Sequence, residues 1–290
     1  MDRRVRVICG LAGVQFAIVT PDPAQWVHVR AFDEVADAIQ AGLVELGHSC
    51  ERSAGRLLDY RTHILFGAHL LPPVASLNPG TILFNLEQIV PGALWVTQDY
   101  VERLRRYRVW DYSALNIAAL EEMGIHDATH VPLGYAKVLE RIPSVTEDID
   151  VLFYGVYNER RMAPLRRLAE RGWKVKCVRG VYGKERDELI ARSRIVVNIH
   201  FYGQSRLEVA RCLYLLANGR FVLSEESPDT EEAGLGGGIA FAPYEGIEEA
   251  VAWYLEHPEG RAAIAEAGRE VVRKRPQAAL LAPAVAALGG

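Results

Sequence analysis

The residues able to do chemistry gather just past short apolar runs. Asp148-Ile149-Asp150-Val151-Leu152-Phe153-Tyr154-Gly155 is followed at once by Asn158, Glu159, Arg160 and Arg161. Two guanidinium groups at a strand-to-helix turn, where helix N–H groups lack partners, suit an anion such as a phosphate. The plainer alternative leaves Arg160 and Arg161 facing solvent, paired with Glu159 or Asp148. A second such place is His200-Phe201-Tyr202-Gly203-Gln204-Ser205, which leads into Arg206-Leu207-Glu208 and Arg211. Gly203 permits a tight turn, Ser205 is a reasonable N-cap, and the helix it opens would aim free N–H groups at a diphosphate. Glu208 and Arg211 share a helical face at i, i+3 spacing, so a simple ion pair competes with a ligand-binding role. His200, at a strand terminus, is either a structural histidine or a functional one. Ser224-Glu225-Glu226 ends a further run; its carboxylates suit ribose or sugar hydroxyls, or else form an acidic surface loop. In the first half, Asn85-Leu86-Glu87-Gln88 and Trp110-Asp111-Tyr112-Ser113 follow two more runs. Glu87 is the preferred general base and Asp111 stands behind it, with helix capping near Ser113 as the competing role for Asp111.

Other chemistries lack their signatures. No G-x-S-x-G elbow is present, and the glycines of 234–238 precede a strand rather than joining strand to helix, so they read as a flexible turn. The four cysteines, Cys9, Cys50, Cys177 and Cys212, show no C-x-x-C spacing, and the eight histidines no H-E-x-x-H. Reduced buried thiols and no metal site are the expectation.

These residues must be positioned by a scaffold, and hydrophobic periodicity describes it. In the second half, strands at 148–155, 174–178, 194–200, 221–224 and 239–242 alternate with helices. The helices cover 158–171, 184–192, 205–217 and a segment carrying Ile247, Ala250, Val251 and Tyr254. Strands alternating with helices of this length form a parallel sheet covered on both faces. The first half follows the same grammar, with strands at 5–9, 16–20, 64–67, 81–85, 108–110 and 130–134. Phe32, Val35, Ala36, Ile39, Leu43 and Leu46 fall on one face of a long helix closed by Gly47. The polar stretch 137–147 with Pro143 marks the boundary. The division is therefore 1–140, 141–275, and a C-terminal helix in 276–290 that could cross back to brace the first domain. The fold class is α/β, two Rossmann-like doubly wound domains facing a central cleft, and ligands of such sheets bind beyond the carboxyl ends of the strands.

The 290 residues carry a net charge of −4, half are apolar, and mean hydropathy is near zero. This balance argues against a nucleic-acid binder working through bulk charge. No stretch approaches the roughly 20 apolar residues of a membrane span, and no signal peptide is evident, so a cytoplasmic protein is expected.

Taken together, 150–161, Val197-Asn198-Ile199-His200 and Leu216-Ala217-Asn218-Gly219-Arg220-Phe221-Val222-Leu223-Ser224-Glu225 resemble the C-terminal half of GT-B glycosyltransferases. The likeness is to bacterial family-1-like and spore-maturation-type members; 85–88 and 109–113 look like the N-terminal companions. The resemblance implies a nucleotide-sugar donor held by the second domain and an acceptor of unidentified class held by the first. It implies no metal and no cofactor beyond the nucleotide sugar as co-substrate. On it, Tyr154, Gly155, Asn158, Arg160, Arg161, Tyr202, Ser205, Glu208, Arg211 and Glu225 would bind the donor, and Glu87, His200 and Asp111 would serve catalysis. One departure stands out. Retaining members often carry a glutamate five residues before the glycine that ends the helix, and here that residue is Tyr214, so neither retention nor inversion is assigned. The rival expectations are a nucleotide-sugar epimerase or hydrolase of the same architecture, and a non-catalytic nucleotide-sugar-binding module.

Overall fold

The computed structural model describes residues 13–72, 75–203, 205–231 and 233–289. The strand expected at 5–9 lies outside them. The first domain orders β1 (Gln15–Thr20), α1 (Asp33–Glu45), β2 (Ser49–Ala54), β3 (Thr62–Phe66), β4 (Ile82–Asn85), α2 (Gln98–Arg106), β5 (Arg108–Asp111), α3 (Ala114–Glu122) and β6 (Ala128–His130). Its six strands are parallel in the order β2-β1-β3-β4-β5-β6. The second domain orders β7 (Ile149–Tyr154), α4 (Glu159–Glu170), β8 (Val175–Val178), α5 (Gly183–Ala191), β9 (Ser193–Asn198), α6 (Val209–Ala217), β10 (Val222–Glu225), β11 (Ala240–Ala242) and α7 (Ile247–Glu256). Its five strands are also parallel, in the order β11-β10-β9-β7-β8. Two further helices follow, α8 (Pro258–Arg273) and α9 (Gln277–Ala286).

The strands are apolar on both faces because both faces are covered. In β1, Phe16 and Ile18 pack with α1 on one side, and Ala17 and Val19 join Leu104 of α2 and Leu120 of α3 on the other. In β7, Leu152 faces the α6 side while Val151 and Phe153 face Leu165 of α4 and Val251 of α7. β2, Ser-Cys-Glu-Arg-Ser-Ala, is an edge strand without an apolar face, so no period announces it. The α6-side core continues into the first domain, where α1 meets α6 and α9. α9 returns across the first domain: Gly134 N–H donates to Gln277 Oε1 at 2.7 Å, and Gln277 N–H to the Tyr135 carbonyl at 2.7 Å. A Cβ on Gly42 of α1 would stand 2.8 Å from Leu281, so glycine sets how closely α9 approaches.

Two boundaries differ from the periodic reading. The last strand of the first sheet is 128–130 rather than 130–134, because the chain from Pro132 turns to pair with Gln277. α6 begins at Val209 with Glu208 at its N-cap position, four residues later than the expected start at Ser205. Side chains hold the preceding backbone out of the helix: Arg206 N–H donates to Gln88 Oε1 at 3.0 Å and Leu207 N–H to Asp229 Oδ1 at 2.8 Å.

Candidate functional site

From β7 the chain moves to β8 on one side and then to β9 on the other, so the β7–β9 gap is the switch point where ligands of such sheets bind. Gly155 follows β7 with φ of 147°, outside the range side chains favour. A Cβ placed there would meet Arg211 Nη2 at 3.0 Å and Arg161 Nη1 at 3.6 Å. The glycine thus leaves a small space under two converging guanidinium groups. Arg161 is held by the Ile199 and Val156 carbonyls, at 2.8 and 3.1 Å, and by Glu208 Oε1 at 2.9 Å. Arg211 donates to Asn198 Oδ1 at 2.8 Å, and its guanidinium carbon sits 4.9 Å from the Tyr154 ring centroid. Glu208 accepts from Asn198 Nδ2 at 2.7 Å and lies 3.0 Å from His200 Nδ1.

The charges here do not cancel. Burial opposes ionisation of Glu208, yet His200, Arg211 and Arg161 hold its carboxyl down to about 2. Burial and the neighbouring Arg211 push Arg161 down to about 10, despite its bond to Glu208. Burial likewise opposes the His200 imidazolium, but Glu208 and Glu225 raise its pKa above the ordinary value. Arg161 and Arg211 converge on the one carboxylate of Glu208, so the site is short of negative charge.

Arg160 and Glu225, read from sequence as ligand groups, meet each other instead. Both guanidinium Nη atoms bond the two carboxylate oxygens, and Arg160 also donates to the His200 carbonyl at 2.9 Å. His200 N–H donates to Glu225 Oε2 at 3.0 Å, so this pair fixes the His200 backbone. The side chain of His200 is buried, and its Nε2 has no hydrogen-bond partner among the described residues. Asn158 caps α4 through the Arg161 N–H and donates to the Phe201 carbonyl, which uses both ends of its amide. Ser205 does not cap α6; its hydroxyl accepts from Tyr202 N–H at 3.1 Å. The amides of 205–207 are therefore occupied, by the Tyr202 carbonyl, Gln88 and Asp229, rather than offered to a diphosphate. Tyr202 is exposed at the rim.

On the facing domain, Glu87 follows β4 and His69 follows β3. Their side chains approach to 3.5 Å between His69 Nε2 and Glu87 Oε1, and Glu87 keeps 24% exposure. Burial raises Glu87 to about 7 and lowers His69 to about 4. Near neutral pH the imidazole is thus uncharged and the carboxyl poised between its two states, which is what a general base needs. His69 was not picked out from sequence, although it stands just past a buried strand as Glu87 does. Asp111 is fully buried. It accepts from Asn85 Nδ2 at 2.5 Å, Ser113 N–H at 2.9 Å and Asn116 Nδ2 at 3.0 Å, and burial raises it to about 7. It cannot touch a substrate from there, which corrects its reading as a second base at the cleft; Ser113 itself caps α3. What Asp111 does is hold Asn85 and Asn116, whose amides both donate to the Glu87 carbonyl, at 3.0 and 2.9 Å.

The domains touch on two flanks. On one, Arg186 of α5 bonds both oxygens of Glu34 in α1, at 3.0 and 2.8 Å, and Tyr182 meets His28 at 2.8 Å. On the other, Gln88 and Arg206 exchange side chain and backbone hydrogen bonds at 2.9 and 3.0 Å. β3, which His69 follows, and β7, which Gly155 follows, are inner strands of their sheets.

Residues 136–280, half the chain, match the family model described as glycosyl transferase-like. The chain belongs to this family. Two relatives in Acanthamoeba polyphaga mimivirus, the uncharacterized proteins L140 and R358, are 26% and 28% identical to this glycosyltransferase over 69% and 62% of its length. The matches span 67% and 62% of those proteins. Among solved structures, the sucrose-phosphate synthase of Thermosynechococcus elongatus superposes with a TM-score of 0.60 at 12% identity, over 94% of this chain and 99% of that one. HepE of Anabaena, solved with UDP and glucose, gives 0.60 at 11% identity over 94% and 99%. WaaG, a glycosyltransferase of lipopolysaccharide biosynthesis, gives 0.59 at 12% over 96% and 100%. The glycosyltransferase thus has the GT-B fold. Among the described residues no helix is long and apolar enough to cross a membrane, and no group of three or more His, Cys, Asp and Glu side chains could hold a metal ion.

Proposed function

We propose that this glycosyltransferase takes its sugar from a nucleoside diphosphate donor and passes it to an acceptor hydroxyl without a metal ion. The observation that carries this reading is the pair of guanidinium groups over Gly155, Arg161 and Arg211, which share one carboxylate at the switch point. A diphosphate supplies the missing negative charge, and charge-assisted bonds from both arginines suit its oxygens. As the bond between the anomeric carbon and the diphosphate oxygen breaks, these cations meet the charge that develops on the leaving group, the task a metal performs elsewhere. Glu208, held by Asn198, His200 and Arg161, is the acceptor for donor hydroxyls, and Tyr154 supports Arg211. Arg160, Glu225 and Asn158 serve the site by fixing His200, Phe201 and α4. Across the cleft, Glu87 takes the acceptor proton as the new glycosidic bond forms, with neutral His69 beside it.

HepE was solved with UDP and glucose, which makes UDP-sugars the first donors to try. The test is nucleoside diphosphate release from a panel of nucleotide sugars with mixed sugar acceptors, in EDTA and in Mg²⁺. The expected result is turnover that survives EDTA and drops at least 100-fold in Arg211→Gln. Turnover that vanishes in EDTA, or that ignores Arg211→Gln, contradicts the reading.

A further inference from the structure

Arg206 comes from the second domain yet makes its side-chain contacts in the first. Its guanidinium bonds Asn116 Oδ1 and donates to the Ile89 and Leu115 carbonyls, both at 3.3 Å. Its backbone bonds Gln88 in both directions, one residue from Glu87. Asn116 is fully buried, and its other end donates to the Glu87 carbonyl and to Asp111. Asn85 grips the same peptide, accepting from Glu87 N–H at 2.9 Å and donating to its carbonyl at 3.0 Å. The Arg206 charge acts on this polar chain and at Asp111, which it favours in the ionised form. An unbroken path of hydrogen bonds therefore runs from the loop before Glu208, in the donor half, to the backbone of Glu87.

We propose that Arg206 is a positioning residue that ties the placement of Glu87 to closure of the two domains. With the guanidinium docked, the Glu87 peptide is clamped and water has restricted access to its carboxyl. With the domains apart, Asn116 loses its cationic partner, Gln88 swings free, and water reaches Glu87. The base is then tuned for proton transfer only when the donor domain is in place, which discourages loss of the sugar to water in the open form. This rests on the reading of Glu87 as the base.

The test uses the whole chain with ¹³C-labelled histidine and follows the His69 ring C–H resonance against pH. Glu87 Oε1 lies 3.5 Å from His69 Nε2, so that resonance reports the charge on Glu87, apart from the inflection of His69 itself near 4. Wild type should show an inflection near 7 that disappears in Glu87→Gln, which separates it from that of Asp111, also raised to about 7. Arg206→Ala should move it down by a pH unit or more, toward the ordinary 4.5. Arg206→Lys should restore part of the shift, since an ammonium can bond Asn116 but not span all three partners. Gln88→Ala, which removes the reciprocal pair without touching the buried amides, should shift it the same way by less, and carries the test if Arg206→Ala fails to fold. A merely structural arginine would lower thermal stability and leave the inflection in place; that result in the folded variants overturns the role of Arg206 alone. Absence of any inflection near 7 in wild type overturns the reading of Glu87, and this proposal with it.

Discussion

At the residue scale, the account turns on two carboxyls that burial pushes the same way and whose neighbours decide the outcome. Glu208 ionises well below its usual range because cations surround it, whereas Glu87 keeps its proton up to about 7 because nothing opposes its desolvation. The consequence for Glu87 has a definite sign. The unfolded carboxyl loses its proton near 4.5 and the folded one near 7, so ionising it removes stability as pH rises through that window. Glu87→Gln should therefore unfold in urea at nearly the wild-type midpoint at about pH 4 and be more stable by roughly 3 kcal/mol at about pH 8. Its transfer rate should fall by about 10² to 10⁴ above pH 7, where wild type holds the ionised base. In wild type the rate should climb as pH rises through about 7, as the base ionises. A mutant whose advantage over wild type is no larger at about pH 8 than at about pH 4 would mean that Glu87 is solvated.

At the element scale, what positions these residues is the run of parallel strands, and that was largely legible. β1, β3, β4, β7, β9 and β10 are buried on both faces, so their apolar runs announce them and the residues just beyond their ends. The sequence rule that selected Glu87, Arg161 and Glu208 is that same proximity to strand ends. It could not say which charges meet across the sheet. Arg160 and Glu225 are 65 residues apart and neutralise one another, which leaves Arg211, not Arg160, to complete the cationic pair. Nor could it place the start of α6, since the amides of Arg206 and Leu207 are drawn off by Gln88 and Asp229, distant in sequence. β2 stayed hidden because an edge strand needs no apolar face. α9 illustrates an element whose role is support: Leu281 is fully buried against Gly42. Leu281→Ala should cost about 2–5 kcal/mol in urea unfolding while diphosphate binding at the other domain stays unchanged. A loss below about 1 kcal/mol would mean that α9 is not part of the cooperative core.

At the scale of the whole molecule, two domains are held in register by polar contacts on either flank of the site. Arg186 and Glu34 are both buried, and Arg141 also bonds Glu34, at 2.5 Å. Removing Glu34 leaves buried Arg186 with Asp187 as its one carboxylate and Arg141 with Asp37, so Glu34→Ala should destabilise the chain by about 1–3 kcal/mol in urea unfolding, an effect that salt changes little. An effect under about 0.5 kcal/mol would indicate that this flank is open in solution. The central claim is nearer the middle, where Arg161 and Arg211 converge without enough carboxylate between them. Calorimetric titration of nucleoside diphosphates into the protein in EDTA tests it most directly. The account predicts binding of at least one of them without metal, weakened roughly 10- to 100-fold in Arg211→Gln, the worth of one charge-assisted contact. Binding that requires Mg²⁺, or equal affinity in wild type and Arg211→Gln, would contradict it.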